Sequence, residues 1–266
     1  MLCIEPGSLR QPLIALILKA DLIYFEGVVI TSSRENIAYE ALSYSWGYPE
    51  FTHAITCNGE AFPVTRNLHQ SLQYLRYGDR ARYIWIDAIC INQLDLDEKS
   101  AQIRNMFTIF KKATQVIAWL GEKEECGGVA IDYISLSASL DKQSGNVDEQ
   151  NGNSGDKSKN IDQLEETYTC PKCHQDIKKG LKAFLGRPCF RRTWVRQEIF
   201  AARELSVQCG LSVIPWYTIK SASKRLKAFS AVLMSRDLHT EGLEDFSLRL
   251  DTQASLSRGL GDPKYP

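Results

Sequence analysis

The chain has 266 residues, of which 44% are hydrophobic and 10% aromatic, so it holds one large domain or two small ones and is too apolar for whole-chain disorder. Its 32 Lys and Arg match 32 Asp and Glu, which excludes an overall basic field for nucleic acid.

Residues 1–40 read as short strands and turns, with Leu22 to Phe25 and Val28 to Ile30 split by Glu26-Gly27. Tyr39 to Gly47 reads as a strand ending in a glycine turn. Ile55-Thr56-Cys57 and Ala61-Phe62 flank Asn58-Gly59-Glu60; Asn-Gly favours positive φ, which predicts a hairpin. Asn67, with Gln70 three residues later, fits a capping box, and Leu68, Leu72 and Leu75 give the following helix one apolar stripe. Tyr83-Ile84-Trp85-Ile86 reads as a buried strand with Asp87 at its C-terminal end. Asp95 with Glu98 opens a second helix, whose apolar face is read as Ile103, Met106, Phe107 and Phe110. Val116 to Leu120 is another buried strand, closed by Gly121. Helix, strand, helix, strand argues for an α/β fold with a mainly parallel sheet flanked by helices, to which the N-terminal hairpin is an addition.

The composition shifts at residues 141–160, where Val147 is the single apolar residue, and a disordered insertion is expected there. Arg191 to Arg203 reads as helix, Leu205 to Cys209 and Leu211 to Trp216 as strands, and 221–235 as a further helix. The expected organisation is one domain over 1–235 with an insertion at 122–180, then a tail at 236–266. Charge is segregated: 122–169 carries 11 acidic and 4 basic side chains, and 170–230 carries 13 basic and 3 acidic. The two segments could pair, or the basic one face an anion, but the residues alone favour a solvated mixed surface. The longest apolar run, Leu13 to Leu18, is closed by Lys19 and Asp21, far short of a membrane span or an export signal. A cytoplasmic chain with mostly reduced thiols among its 8 Cys is therefore expected.

Three clusters carry candidate chemistry. At the first, Tyr44-Ser45-Trp46-Gly47 and Asp87 to Gln93 follow strands, and open α/β sheets bind ligands beyond the carboxyl ends of their strands. Trp46 offers an aromatic face, Gly47 a close backbone approach, and Asp87, Asn92 and Gln93 bind hydroxyls or amides. Composition alone favours the plainer reading, with Trp46 and Trp85 in the core and Asn92-Gln93 in a turn. In the second cluster, Trp194 and Glu198 share a helix face, and Val195, Ile199 and Ala202 make the surroundings of Glu198 apolar. That carboxylate is either salt-bridged to Arg191 or Arg192, or held with a perturbed pKa. The third, Cys170-Pro171-Lys172-Cys173-His174, has haem-attachment spacing and half the ligands of a zinc site, and no second half follows. It reads as a loop feature, and no metal is expected. Cys90 near Asp87 is a conceivable nucleophile, with His53 and His69 the nearest histidines in sequence.

Four blocks are specific: Tyr39 to Gly47, Ile84 to Gln93, Val116 to Gly121 and Arg187 to Glu198. In this order they resemble the heterokaryon-incompatibility (HET) domain of filamentous fungi, over roughly residues 1–215. The resemblance implies a cytoplasmic role in non-self recognition and regulated cell death. It also implies self-association, with other incompatibility or NOD-like signalling proteins as partners. The order of elements, and Trp194-Val195-Arg196-Gln197-Glu198-Ile199, are more distantly similar to Toll/interleukin-1 receptor (TIR) domains, a flavodoxin-like fold. That likeness implies NAD as substrate rather than cofactor, with Glu198 the catalytic carboxylate and Asp87 a candidate second one. Tyr44, Ser45, Trp46, Gly47, Asn92, Gln93 and Trp194 would hold the nucleotide, and Arg192 or Arg196 would meet its phosphates. A non-catalytic module acting by self-association is the alternative. The sequence departs from the HET pattern at Cys189, where the family usually has an aromatic residue, and in its long insertion. The closing segment Gly261 to Pro266 is expected to belong to a truncated continuation of the domain.

Overall fold

Side chains alternate across the central strands between two separate cores, and this alternation places the helices. The computed structural model describes residues 1–21, 28–31, 36–123, 128, 130–136, 176, 179–180, 183–184 and 186–219. The expected strand at Leu22 to Phe25, the insertion at 141–160, the Cys170 to His174 run, the helix at 221–235 and the C-terminal tail lie outside the described residues, as does most of the charge-segregated stretch.

The strands are β1 (Leu2–Ile4), β2 (Ile14–Ile17), β3 (Ala20–Asp21), β4 (Val28–Thr31), β5 (Asn36–Ala38), β6 (Glu40–Tyr44), β7 (His53–Cys57), β8 (Glu60–Val64), β9 (Arg82–Trp85), β10 (Val116–Gly121), β11 (Leu205–Cys209) and β12 (Ser212–Pro215). The helices are α1 (Arg66–Leu75), α2 (Asp87–Cys90), α3 (Leu96–Lys112), α4 (Pro188–Arg191) and α5 (Thr193–Ala201). Nine strands form one sheet in the order β12-β11-β10-β6-β9-β1-β2-β7-β8, and β3-β4-β5 form a second.

The sheet is mixed, which corrects the expectation of a mainly parallel one. Its centre, β11-β10-β6-β9, is parallel throughout. β1 joins antiparallel to both β9 and β2, and β7-β8 is an antiparallel hairpin. The reason is connectivity. α1 and α3 are crossover helices that bring the chain back parallel to β6, whereas a two-residue turn joins β7 to β8 and a loop over residues 5–13 folds β1 back on β2. The hairpin turn is built as its residues require, with Asn58 at φ 53° and Gly59 at φ 86°.

The crossovers run in opposite directions from β6, toward β9 through α1 and back to β10 through α3. β6 and β10 therefore border the point where strand order reverses. On one face, Leu42, Tyr44, Ile84, Ile86, Ile117 and Trp119 pack with Leu68, Leu72 and Leu75 of α1. On the other, Ala41, Trp85 and Val116 pack with Ile109 and Phe110 of α3 and Ala201 of α5.

Two local expectations change. The N-cap of α1 is Thr65, whose side chain accepts from Leu68 N at 3.3 Å, and Asn67 lies inside the helix. Its carboxamide is engaged elsewhere and is not available to cap. In α3, Asp95 does cap, accepting from the Asp97 and Glu98 amides at 3.0 Å, but the buried face is Ile109 and Phe110. Ile103 and Phe107 are exposed, whereas Phe110 of the expected face is buried and Met106 packs half-buried against the same core.

Met1–Glu122 with Arg187–Val213 forms one compact unit, which contains every candidate site residue. Lys123–Gly186 with Ile214–Pro266 forms the other. In that second unit residues 130–136 are helical, with Ala130, Ile131, Tyr133 and Ile134 buried. Gly180 packs so tightly there that an added Cβ would lie 3.1 Å from Ala130 N. Among the described residues no helix is long and apolar enough to cross a membrane.

Candidate functional site

The carboxyl ends of β6 and β9 and the start of α5 bring four polar groups together. β6 ends at Tyr44, and the chain turns through Ser45 and Trp46 to Gly47, which has φ +73°. That left-handed backbone suits glycine and lets the strand stop abruptly. Trp46 is 37% exposed, while Trp85 is buried, so the two tryptophans divide between site and core. β9 ends one residue before Ile86, and Asp87 opens the single turn of α2.

Asp87 is the hub. Its Oδ2 accepts from Trp46 Nε1 at 3.0 Å, and its Oδ1 accepts from Ala88 N at 2.7 Å. Arg192 Nη2 stands 3.9 Å from Oδ2. The same guanidinium donates through Nη1 to the Tyr44 carbonyl. Burial pushes the Asp87 carboxyl above its ordinary value, with the Trp46 bond, Arg192 and the Ala88 amide pulling the other way.

Glu198 lies on α5, 4% exposed. Among the described residues its Oε2 has no hydrogen-bond partner. Ser43 stands on the α3 and α5 face of β6, because Leu42 and Tyr44 face α1. Its hydroxyl is near the carboxylate but does not meet hydrogen-bond geometry, so it too is unpartnered among the described residues. Burial raises the Glu198 pKa to about 7, with Ser43 and Arg192 lowering it and the Asp87 charge raising it further. An isolated buried carboxyl with a pKa near neutrality can take or give a proton at physiological pH.

The other expected residues fall as follows. Tyr44 is a core side chain, 1% exposed, whose phenol burial holds well above its usual pKa; its contribution to the cluster is its carbonyl. Ser45 Oγ accepts from Gly47 N at 3.4 Å and braces the turn. Gln93 Nε2 donates to the Asp87 carbonyl at 3.0 Å, and Asn92 Oδ1 accepts from Leu94 N at 3.1 Å, so both shape the loop after α2. Trp194 and Arg196 lie on α5, but their side chains are outside the described ones.

Among the described residues the groups that act on the Cys90 thiol are the N-terminal amine, the Ile86 amide and Asp87, and neither histidine is one of them. His53 and His69 stack on each other with ring centroids 4.8 Å apart. Burial raises the pKa of Cys90, which keeps it a thiol, and Cys189, beside Glu198, is pushed up to about 12. Among the described residues no group of three or more His, Cys, Asp or Glu could hold a metal ion.

Sequence reading missed Ser43 and Asn67. Strand alternation from Ala41 could have found Ser43. The side chain of Asn67 donates to the Ser45 carbonyl and accepts from Trp119 Nε1 at 3.0 Å, a connection that no local pattern encodes.

The sequence model described as Heterokaryon incompatibility protein (HET) matches residues 39–198, an interval that contains Tyr44 to Gly47, Asp87 to Gln93 and Arg192 to Glu198. A similar curated protein is Heterokaryon incompatibility protein 6, OR allele, of Neurospora crassa, 30% identical over 199 residues. The aligned region covers 66% of this chain and 29% of that protein, so the chain spans less than a third of the relative's length. No solved structure matches the chain.

Proposed function

The chain belongs to the heterokaryon-incompatibility (HET) family, and from that premise we propose that it acts in fungal non-self recognition as a cell-death effector that cleaves a nicotinamide dinucleotide, with Glu198 as its catalytic residue. The observation that carries this reading is the buried Glu198 carboxylate, whose Oε2 no described group satisfies. Leaving such a buried polar atom unsatisfied costs a native fold roughly 1–3 kcal/mol.

The chemistry suits one carboxylate. The bond between the nicotinamide nitrogen and ribose C1′ breaks, and its electron pair neutralises the departing pyridinium. The ribose is left with oxocarbenium character, which a nearby carboxylate stabilises. Water adds to C1′ and gives a proton to Glu198, which then returns it to solvent. The products are nicotinamide, ADP-ribose and a proton. Asp87 holds Trp46 and Arg192 in place, and Trp46 offers an exposed ring for stacking. The central order β9-β6-β10-β11 supports a flavodoxin-like, TIR-like reading, with Glu198 packed beside the switch-point strand β6. We take 1–235 as the domain, with 122–180 inserted in it.

A second reading, signalling by self-association or by docking other incompatibility or NOD-like proteins, is favoured by one observation. Tyr48, Phe51 and Leu94, on the segments after β6 and α2, and Leu96 at the start of α3 are 84%, 65%, 93% and 73% exposed. Nicotinamide release from NAD by concentrated protein, parent beside Glu198→Gln, decides. Release by the parent and a loss of two orders of magnitude or more in the variant supports cleavage. Equal release in both, or none from folded protein, overturns it.

A further inference from the structure

The Ser45–Gly47 turn is held from beneath by a side chain that neither the family match nor the chemistry above assigns. Asn67, near the start of α1, donates from Nδ2 to the Ser45 carbonyl. Its Oδ1 accepts from Trp119 Nε1 at 3.0 Å. Trp119 is 1% exposed on β10 and packs against Tyr74 with ring centroids 5.4 Å apart, so this end of the carboxamide is fixed to the core. A Cβ built on Gly47 would lie 3.6 Å from Asn67 Cβ, so the turn rests directly on this residue. From the turn the path continues through Trp46 Nε1 to Asp87, then Arg192, then the Tyr44 carbonyl, closing a ring on β6.

We propose that Asn67 is a positioning residue that fixes the Trp46 indole against Asp87, by tying the Ser45–Gly47 turn to Trp119 of the core. The two bonds of the carboxamide need a donor and an acceptor about one amide apart, which Asn supplies and neither Asp nor Ser reproduces. Trp46 is 37% exposed, so part of its ring has no packing to fix it and its angle to Asp87 depends on the backbone turn that carries it. This inference deepens the reading above, since Trp46 and Asp87 matter to nucleotide binding only if that reading stands. Its physical content, however, is tested without any nucleotide.

The experiment follows the Trp46 indole N–H by nuclear magnetic resonance, with the resonance assigned by its absence in Trp46→Phe. The groups that face Asp87 are Arg192, Glu198, Tyr44 and Cys90 as well as Trp46, so the titration is compared between variants that keep all of them. In the parent the indole proton is hydrogen-bonded and follows the ionisation of Asp87. In Asn67→Leu, of similar volume, it shifts toward the value of a free indole and ceases to follow Asp87, while the amide spectrum of the sheet is retained. Trp119→Phe, which frees one end of the carboxamide, shifts it in the same direction by less. An unchanged Trp46 resonance and titration in folded Asn67→Leu overturns the proposal. Should Asn67→Leu not fold, Asn67→Ser decides in the same way. Where the parent cleaves NAD, Asn67→Leu loses on the order of tenfold or more of that activity. Absence of cleavage in the parent counts against the proposed function alone and leaves the indole result standing.

Discussion

Trp46 and Asp87 each lie two residues beyond the end of neighbouring parallel strands, β6 and β9, and are joined by a 3.0 Å bond from indole Nε1 to Oδ2. The bond turns an exposed aromatic ring into a fixed wall and leaves Asp87 as the negative neighbour of both Arg192 and Glu198. Asp87→Asn keeps the acceptor for Trp46 and removes the charge. Since that charge raises the Glu198 pKa, its loss favours the ionised carboxylate, and the Glu198 midpoint falls below about 7. Carbon-13 titration of the Glu198 carboxyl reads it; an upward or absent shift refutes the coupling.

Glu198 also makes stability depend on pH. Its carboxyl has a folded pKa of about 7 against an ordinary value of 4.5, so between these the folded state binds more protons than the unfolded one. The contribution is fully favourable below about pH 4.5 and is lost as pH rises through 7. Its upper size is about 3 kcal/mol, on the order of 1.4 for each unit between the two values. Glu198→Gln removes this dependence. Urea unfolding at pH 5 and pH 8 is expected to show the parent losing stability relative to Glu198→Gln at the higher pH. Parallel behaviour of the two proteins would mean that Glu198 is not held neutral.

The site was half legible. A strand ending in Asp87 and a glycine after Trp46 are written locally, in an apolar run and a φ requirement, and the fold keeps both. The isolation of Glu198 is not local. Helical spacing shows that its face is apolar, but whether Arg192 meets Glu198 or Asp87 depends on how α5 crosses β6, and its ion pair is with Asp87. Asn67 was misread for a related reason. Ser, Thr, Asn and Asp all serve as caps, and only the structure shows that Thr65 caps α1 while Asn67 is drawn to Ser45 and Trp119. The β7-β8 hairpin is legible in Asn58-Gly59, but the antiparallel insertion of β1 between β9 and β2 is not, because alternation gives a strand's faces and not its neighbour.

Thr65 supplies a direct check of that correction. Thr65→Ala removes the bond to Leu68 N and is expected to cost about 1 kcal/mol, whereas Gln70→Ala, the other half of the capping box read from sequence, should cost a few tenths or less. Chemical denaturation of the two variants separates them, and equal losses would restore the Asn67 cap.

At the opposite end of the parallel core, Arg82 and Glu40 form a largely buried ion pair, with side chains 8% and 16% exposed. Arg82 also donates to the Leu75 carbonyl and lies 4.4 Å over the Tyr77 ring, and Glu40 Oε1 accepts from Gln115 Nε2 at 2.8 Å. Each partner therefore has further bonds that compensate its desolvation, but neither can lose the other charge cheaply. Glu40→Ala strands the guanidinium between β9 and α1 and should cost roughly 3–5 kcal/mol. Replacing both with apolar residues, Glu40→Leu with Arg82→Met, should cost much less than the sum of the single changes, because no unpaired charge remains. A double-mutant cycle by denaturant unfolding measures this. Additive losses would show that the two side chains act independently and that the carbonyl, ring and amide contacts, not the ion pair, hold Arg82 in place.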